Sequence, residues 1–271
     1  MGSSRDYQAE GVVIRHSVIG ERDKIVTLFS RDEGKFSAVA RGSRRPGSSL
    51  GPCVEMLTYG RFQCVRRRAL DIITQATSVD SFANLKADLW RMSCALYACE
   101  LIDSSTVEGA PNHPLFELLL EALTEIDRVG CDDTVLRFFE LRLLEHIGFC
   151  PSLRRCVSCG SSLRPVENSL SATLGGALCP ECAKSCPDAK ALSVDAVKVL
   201  RFWLGCGLDT ARRVKMGTAL AGELEGHIYR FVDCVLQRDI KSRSWLARLK
   251  SESLLTSSTE VSTIPRRFES E

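Results

Sequence analysis

Two cysteine pairs constrain this chain more than any other feature. Cys156 and Cys159 form one C-x2-C, and Cys179 and Cys182 form another after nineteen intervening residues. Each pair can direct two sulfurs at one ion from a single turn. Two such turns complete a tetrahedral all-thiolate site of the kind that Zn²⁺ favours. Gly160 follows the first pair, Pro180 lies inside the second, and Gly175-Gly176 precedes it. Small or φ-restricted residues of this sort let a turn aim its N–H groups at thiolates. A closed four-cysteine site is a structural staple rather than a catalytic metal. Cys186, one helical turn beyond Cys182, is an alternative ligand, although the C-x2-C spacing favours Cys182. A catalytic zinc needs an open position and often histidine. Here His16, His113, His146 and His227 are scattered, without an H-x-x-x-H or H-x-E pattern.

The 271 residues suffice for two or three modest domains, and 26% charged with 44% hydrophobic residues is ordinary for a soluble protein. No apolar run reaches the length of a membrane span. The first ten residues are polar and lack the apolar core of a signal peptide, and Asp6 stands where a myristoylation start needs Ser or Thr. A cytoplasmic location is expected. Nine cysteines lie outside the quartet: Cys53, Cys64, Cys94, Cys99, Cys131, Cys150, Cys186, Cys206 and Cys234. Most neighbour apolar residues, which fits a reducing compartment where Cys acts as a small hydrophobe. The net charge of +2 hides a division. Residues 1–80 carry 13 basic against 9 acidic side chains, 81–150 carry 5 against 12, and 151–271 carry 18 against 13.

Residues 1–80 read as five short strands, Tyr7–Ser17, Lys24–Ser30, Lys35–Arg41, Leu57–Val65 and Leu70–Val79. Polar turns separate them, including a long Gly42–Pro52 stretch. Such runs suit a small closed barrel; an SH3-like barrel or an open meander fits nearly as well. From residue 81 the period becomes helical. Phe82, Leu85, Leu89, Met92, Leu96 and Cys99 predict one apolar helix face over five turns. Further helices are expected at Pro114–Val129 and Asp133–Ile147, the latter ended by Gly148 and Pro151. The cysteine module occupies about 152–187. Helix returns after Ser193, a candidate N-cap, and again over Thr218–Arg238, with a short last turn at Trp245 and Leu249. The expected organisation is a barrel at 1–80, helical parts at 81–151 and 188–250 around the module, and a disordered Ser/Thr/Glu-rich tail at 251–271.

Two basic clusters fall on barrel loops. Arg41, Arg44 and Arg45 leave the third strand, and Arg66, Arg67 and Arg68 join the fourth to the fifth. One such cluster is ordinarily a solvated turn. Two on one small barrel point to phosphate contacts across a shared groove, with Phe36, Tyr59 and Phe62 available to stack if exposed. Each of those aromatics is more often a core residue. Arg212, Arg213 and Lys215, and the set from Arg238 to Lys250, read as helix ends facing water. The chain lacks a P-loop, a GxGxxG, a GxSxG and a paired-carboxylate motif, so no enzymatic reaction is expected.

Several segments together resemble the bacterial RecO family of recombination mediators. Glu10-Gly-Val-Val-Ile-Arg, Asp23-Lys-Ile-Val-Thr-Leu-Phe-Ser and Gly34-Lys-Phe-Ser-Ala-Val-Ala-Arg-Gly-Ser-Arg-Arg are similar to its N-terminal barrel. The run from Leu136 to Pro151 is similar to the helix leading into its zinc module. Leu174-Gly-Gly-Ala-Leu-Cys-Pro-Glu-Cys is similar to the module's second half, and Lys241-Ser-Arg-Ser-Trp-Leu to the family's ending. The resemblance covers about residues 7–250. It implies an α+β protein: a five-stranded OB-fold barrel, then an α-helical domain with an inserted four-cysteine zinc module holding one structural Zn²⁺ on Cys156, Cys159, Cys179 and Cys182. It implies binding to single- and double-stranded DNA, strand annealing, cooperation with RecR, contact with the C-terminal tail of single-stranded-DNA-binding protein, and help in loading RecA. It places the family's basic loop on Arg41, Arg44 and Arg45, with Lys35 on the strand before it. Arg66 and Arg67 complete the expected DNA-binding set. The competing expectation is a zinc-stapled protein-interaction scaffold with little DNA affinity of its own. A hydrolytic zinc enzyme is a third, which four sulfur ligands would remove.

Overall fold

In the computed structural model, backbone is described for residues 6–260 and side chains for 6–251. Five strands close a barrel in the order β1-β2-β3-β5-β4. They are β1 (Asp6–Ile19), β2 (Asp23–Ser30), β3 (Gly34–Ala40), β4 (Tyr59–Val65) and β5 (Asp71–Asp80). A short helix, α1 (Leu50–Cys53), lies between β3 and β4 and begins within the Gly42–Pro52 stretch expected to be only a polar turn. Neighbouring strands pair antiparallel except β3 with β5, which run parallel with Ala38 opposite Asp71. A five-stranded barrel of this order is the OB arrangement.

The barrel interior is filled by Val13, Val26, Leu28, Ala38, Ala40, Val54, Phe62, Cys64 and Ile73. Its neighbours Val12, Ile14 and Phe29 point outward by strand alternation, yet they too are buried, in the core of the helical region. This explains why β1 and β2 contain continuous apolar runs instead of alternation: both faces are covered.

The helical region begins with α2 (Ala83–Ala87) and α3 (Leu89–Ser105). One continuous helix was expected there, and the structure corrects it. Asp88 adopts extended backbone, and its side chain accepts from the Arg91 N–H, so it caps a new helix. Leu89, assigned to the apolar face, is 54% exposed, while α3 is buried nearly all round, on β1, α4 and α10. Next come α4 (His113–Arg128) and α5 (Asp133–His146), capped by Asn112 and Asp132. After the cysteine segment, α7 (Val194–Trp203) starts at the Ser193 cap as expected. Helices α8 (Leu208–Ala211) and α9 (Thr218–Leu236) follow. The last helix, α10 (Lys241–Glu260), is far longer than the single turn expected and enters the segment expected to be disordered. The remainder of that tail, 261–271, lies outside the described residues.

A buried polar cluster joins three of these helices. Arg137 and Glu140 on α5 pair at 3.0 Å with almost no exposure, Tyr97 of α3 donates to Glu140, and the Arg137 guanidinium stacks 4.0 Å from the Tyr229 ring of α9.

Candidate metal centre and nucleic-acid interface

The cysteine segment is built on a three-stranded sheet, ordered β7-β6-β8, that the sequence reading missed. Its strands are β6 (Asn168–Ser171), β7 (Gly176–Leu178) and β8 (Lys190–Leu192). The first pair leaves a tight turn in which Gly160 N–H bonds Cys156 O at 2.9 Å, with Gly160 at φ +74°, a conformation glycine adopts without strain. The second pair opens α6 (Pro180–Ala183), with Cys179 at its N-cap. Together these turns bring the sulfurs of Cys156, Cys159, Cys179 and Cys182 within 4.8 Å of one another. Four sulfurs around one ion at about 2.3 Å stand roughly 3.8 Å apart in a tetrahedron. The Cys159–Cys179 separation of 3.9 Å already matches. The set therefore suits a metal ion.

Its electrostatics point the same way. Desolvation opposes ionisation of Cys156, but hydrogen bonds from backbone N–H groups of Cys159, Cys179 and Ser158 outweigh it and hold its pKa down to about 6. Cys159 is lowered as well, chiefly by Ser161. Cys182 is pushed up to about 12: Ser158 favours its thiolate, but the other three cysteines outweigh it. Thiolates crowded this closely resist ionising together unless a cation neutralises them. Cys186 is no rival ligand in this geometry, since its thiol donates to Asp188 at 3.0 Å.

The arginine loop lies on the barrel. Gly42 N–H donates to Asp23 at 2.7 Å, Arg44 N–H to Arg22 O at 3.0 Å, and the Arg44 guanidinium to Glu21 O at 3.1 Å. Ser43 closes the loop onto Ala40 O. The loop is thereby fastened to the β1–β2 turn, and Arg22, Arg41, Arg44 and Arg45 are all exposed. Among the described residues, no ion pair engages any of these four.

The other expected contacts have different surroundings. Arg66 pairs with Glu33 at 2.6 Å and lies 4.4 Å from the Tyr7 ring, beside the β2–β3 turn. Arg67 is exposed in the same β4–β5 connection. That connection leads into β5, whose first residue, Asp71, stands opposite Ala38, three residues before Arg41. Three residues at about 3.3 Å each put the start of β5 only ~10 Å along β3 from the arginine loop. Lys35 is withdrawn further: it is 8% exposed and donates to the carbonyl and, at 3.0 Å, the carboxylate of Asp103 on α3. Phe62 is in the barrel core, Phe36 packs on Tyr7, and Tyr59 packs on Phe116 while donating to Glu10.

Comparison with known proteins places this architecture. The model for the recombination protein O N terminal region matches residues 3–82, and that for the C terminal region matches 86–244. The chain belongs to the RecO family. The two matches part at residues 83–85, just where the barrel gives way to α2. The chain is 36% identical to a DNA repair protein RecO of Symbiobacterium thermophilum over 90% of its length and 98% of the relative's. A Roseiflexus DNA repair protein RecO is 33% identical over 97% of the chain and 93% of the relative, and one from Dehalococcoides mccartyi is 32% identical over 94% and 100%. This is a RecO-family DNA repair protein. Among its described residues, no helix is long and apolar enough to cross a membrane.

Arg22 escaped the sequence reading. It stands alone in Gly20-Glu21-Arg22-Asp23, which reads as a polar turn, and joins the other arginines through bonds between that turn and the neighbouring loop. The one available signal was Asp23, an acceptor at the end of a turn facing a glycine loop.

Proposed function

We propose that the chain is a non-enzymatic, DNA-binding mediator of recombinational repair. It holds phosphates with Arg41, Arg44 and Arg45, joined by Arg22, and brings single strands together for annealing. The observation that carries this reading is the arginine loop itself: four exposed guanidinium groups, without acidic partners among the described residues, on backbone that is already fixed. Arginines prepared in this way lose little freedom on meeting a phosphate, and each contact releases condensed counterions. Arg66 and Arg67, exposed in the β4–β5 connection, form a second, lesser contact. Lys35 is excluded from the DNA-binding set, because its charge is committed to Asp103.

Zn²⁺ is the metal this reading assigns to Cys156, Cys159, Cys179 and Cys182, since four thiolates in a closed tetrahedron suit it and leave no open position for a substrate. When bound, the ion supplies cross-linking only. The module then holds the connection between α5 and α7. The family resemblance supports cooperation with RecR, contact with the tail of single-stranded-DNA-binding protein, loading of RecA, binding of double-stranded DNA, and a cytoplasmic, nucleoid-associated location. The test is an Arg44→Ala/Arg45→Ala variant, assayed against several unrelated single-stranded oligonucleotides. Affinity should fall by a similar factor for all of them. Wild-type affinity would defeat the reading.

A further inference from the structure

Nine cysteines lie outside the metal quartet, and DNA binding uses none of them. Most have partners of their own. Cys53, Cys64, Cys150 and Cys234 donate to backbone carbonyls, and Cys186 donates to Asp188. Cys94 and Cys131 differ, because their side chains meet and share a hydrogen bond. Both are free thiols. Cys94 lies on α3 without exposure, whereas Cys131, in the α4–α5 connection, is half-buried and also reaches Asp132 O at 3.9 Å.

Side chains at the start of α3 hold this connection by its carbonyls. The Trp90 indole N–H, one turn before Cys94 on the same face, donates to Cys131 O at 2.8 Å. Arg91 donates to Ile126 O at 3.3 Å and to Asp127 O at 2.8 Å. Gly130, at φ +117°, turns the chain beside the Arg91 guanidinium, which lies 3.6 Å from where a Cβ would stand. Asp132 then caps α5. Cys131 is thereby fixed opposite Cys94, and joining their sulfurs requires no helix to leave its place.

We propose that Cys94 and Cys131 are an oxidisable pair, which hydrogen peroxide converts to a disulfide between α3 and the α4–α5 connection. Cys131, the more exposed, reacts first. Its thiolate sulfur attacks one peroxide oxygen, the O–O bond breaks, and the departing hydroxide takes up a proton to become water. The Cys94 sulfur then attacks the sulfenic acid. The S–O bond breaks, and hydroxide leaves with the Cys94 proton as a second water. Two thiols and one peroxide thus give one disulfide and two waters; each sulfur gives up one electron and the peroxide takes both. Hydrogen bonding with Cys94, and then burial, raise the Cys131 pKa, so the thiol predominates at neutral pH and oxidation is slow. The pair answers sustained rather than brief oxidant, and small thiols reverse it. The bond ties α3 to the start of α5, two helices that already share the buried Tyr97–Glu140–Arg137 cluster.

The experiment treats the full, metal-loaded chain with hydrogen peroxide, unfolds it in urea with N-ethylmaleimide to block the remaining thiols, and maps the digest by mass spectrometry. The expected product is a Cys94–Cys131 linked peptide, formed while the metal is still bound and lost again on adding dithiothreitol. Its rate of formation should rise about ten-fold from pH 7 to pH 8, because only the thiolate attacks. Cys94→Ser should instead leave Cys131 as a sulfenic acid that dimedone traps, and Cys131→Ser should leave Cys94 as a thiol. Recovery of both wild-type cysteines as blocked thiols after Cys206 has oxidised overturns the proposal. So does Cys131 over-oxidised to sulfinic acid beside an unlinked Cys94. The wild-type map decides the matter even if a variant fails to fold. DNA enters none of these measurements, so their outcome is separate from that of Arg44→Ala/Arg45→Ala.

Discussion

Replacing Lys35 with alanine separates two roles that the sequence does not distinguish. On β3, ahead of the arginine loop, Lys35 is a natural phosphate contact. In the fold its side chain is 11% exposed, and its ammonium spans the barrel–helix junction to Asp103. Deleting one partner of a fully buried ion pair costs about 3–5 kcal/mol. Asp103 is 24% exposed and retains Arg15 at 3.4 Å, so solvent and a second cation soften the loss. We expect about 2 kcal/mol, which for a chain of this size lowers Tm by roughly 4–8 °C. DNA affinity, measured well below the melt, should keep its salt slope. A phosphate-bound lysine would behave oppositely: its removal takes about 0.7 from the slope of log K against log salt on a single strand. Thermal melts and salt-titrated anisotropy on one preparation decide the matter. An unchanged Tm with a slope reduced by about 0.7 would refute the structural assignment of Lys35.

Two further outcomes follow from the same packing. Cys156→Ser should bind metal in less than one equivalent and melt at least ~5 °C lower, because metal binding at such sites is coupled to folding; full metal content with an unchanged melt contradicts the staple. Glu125, buried on α4, is desolvated, but hydrogen bonds from Arg128 and Arg212 overcome this and hold its carboxyl below the usual range. A carboxyl whose pKa falls on folding stabilises the protein fully above its unfolded pKa of about 4.3, and this contribution fades as pH drops through the folded value. Glu125→Gln should therefore cost about 2 kcal/mol at pH 7, with the gap narrowing below pH ~4; a pH-independent gap would refute the charge-based account.

What the sequence disclosed and withheld has a physical pattern. The strands and most helices were legible because period and caps act within a few residues. Ser193 is an example, with its side chain accepting from Ala196 three positions on. Asp88 was missed because an apolar period can pass straight through a cap that resets the helix. The small sheet under the cysteines was missed because strands of three or four residues carry too little alternation to register. For the site, C-x2-C spacing disclosed the quartet fully. The arginine loop was legible by composition, but its fastening to Asp23 and Arg22 was not. The pairing of Lys35 was not legible because its partner lies 68 residues away, and nothing local in the chain marks an interface.

The most direct measurement of the central claim is a salt titration of single-stranded DNA binding by the metal-loaded wild type and Arg44→Ala/Arg45→Ala side by side. Phosphate contact by both arginines predicts a wild-type affinity that falls steeply with salt. It also predicts a variant whose slope is shallower by about 1.4, at 0.7 for each lost contact. Parallel slopes for the two proteins, or wild-type binding indifferent to salt, would contradict it.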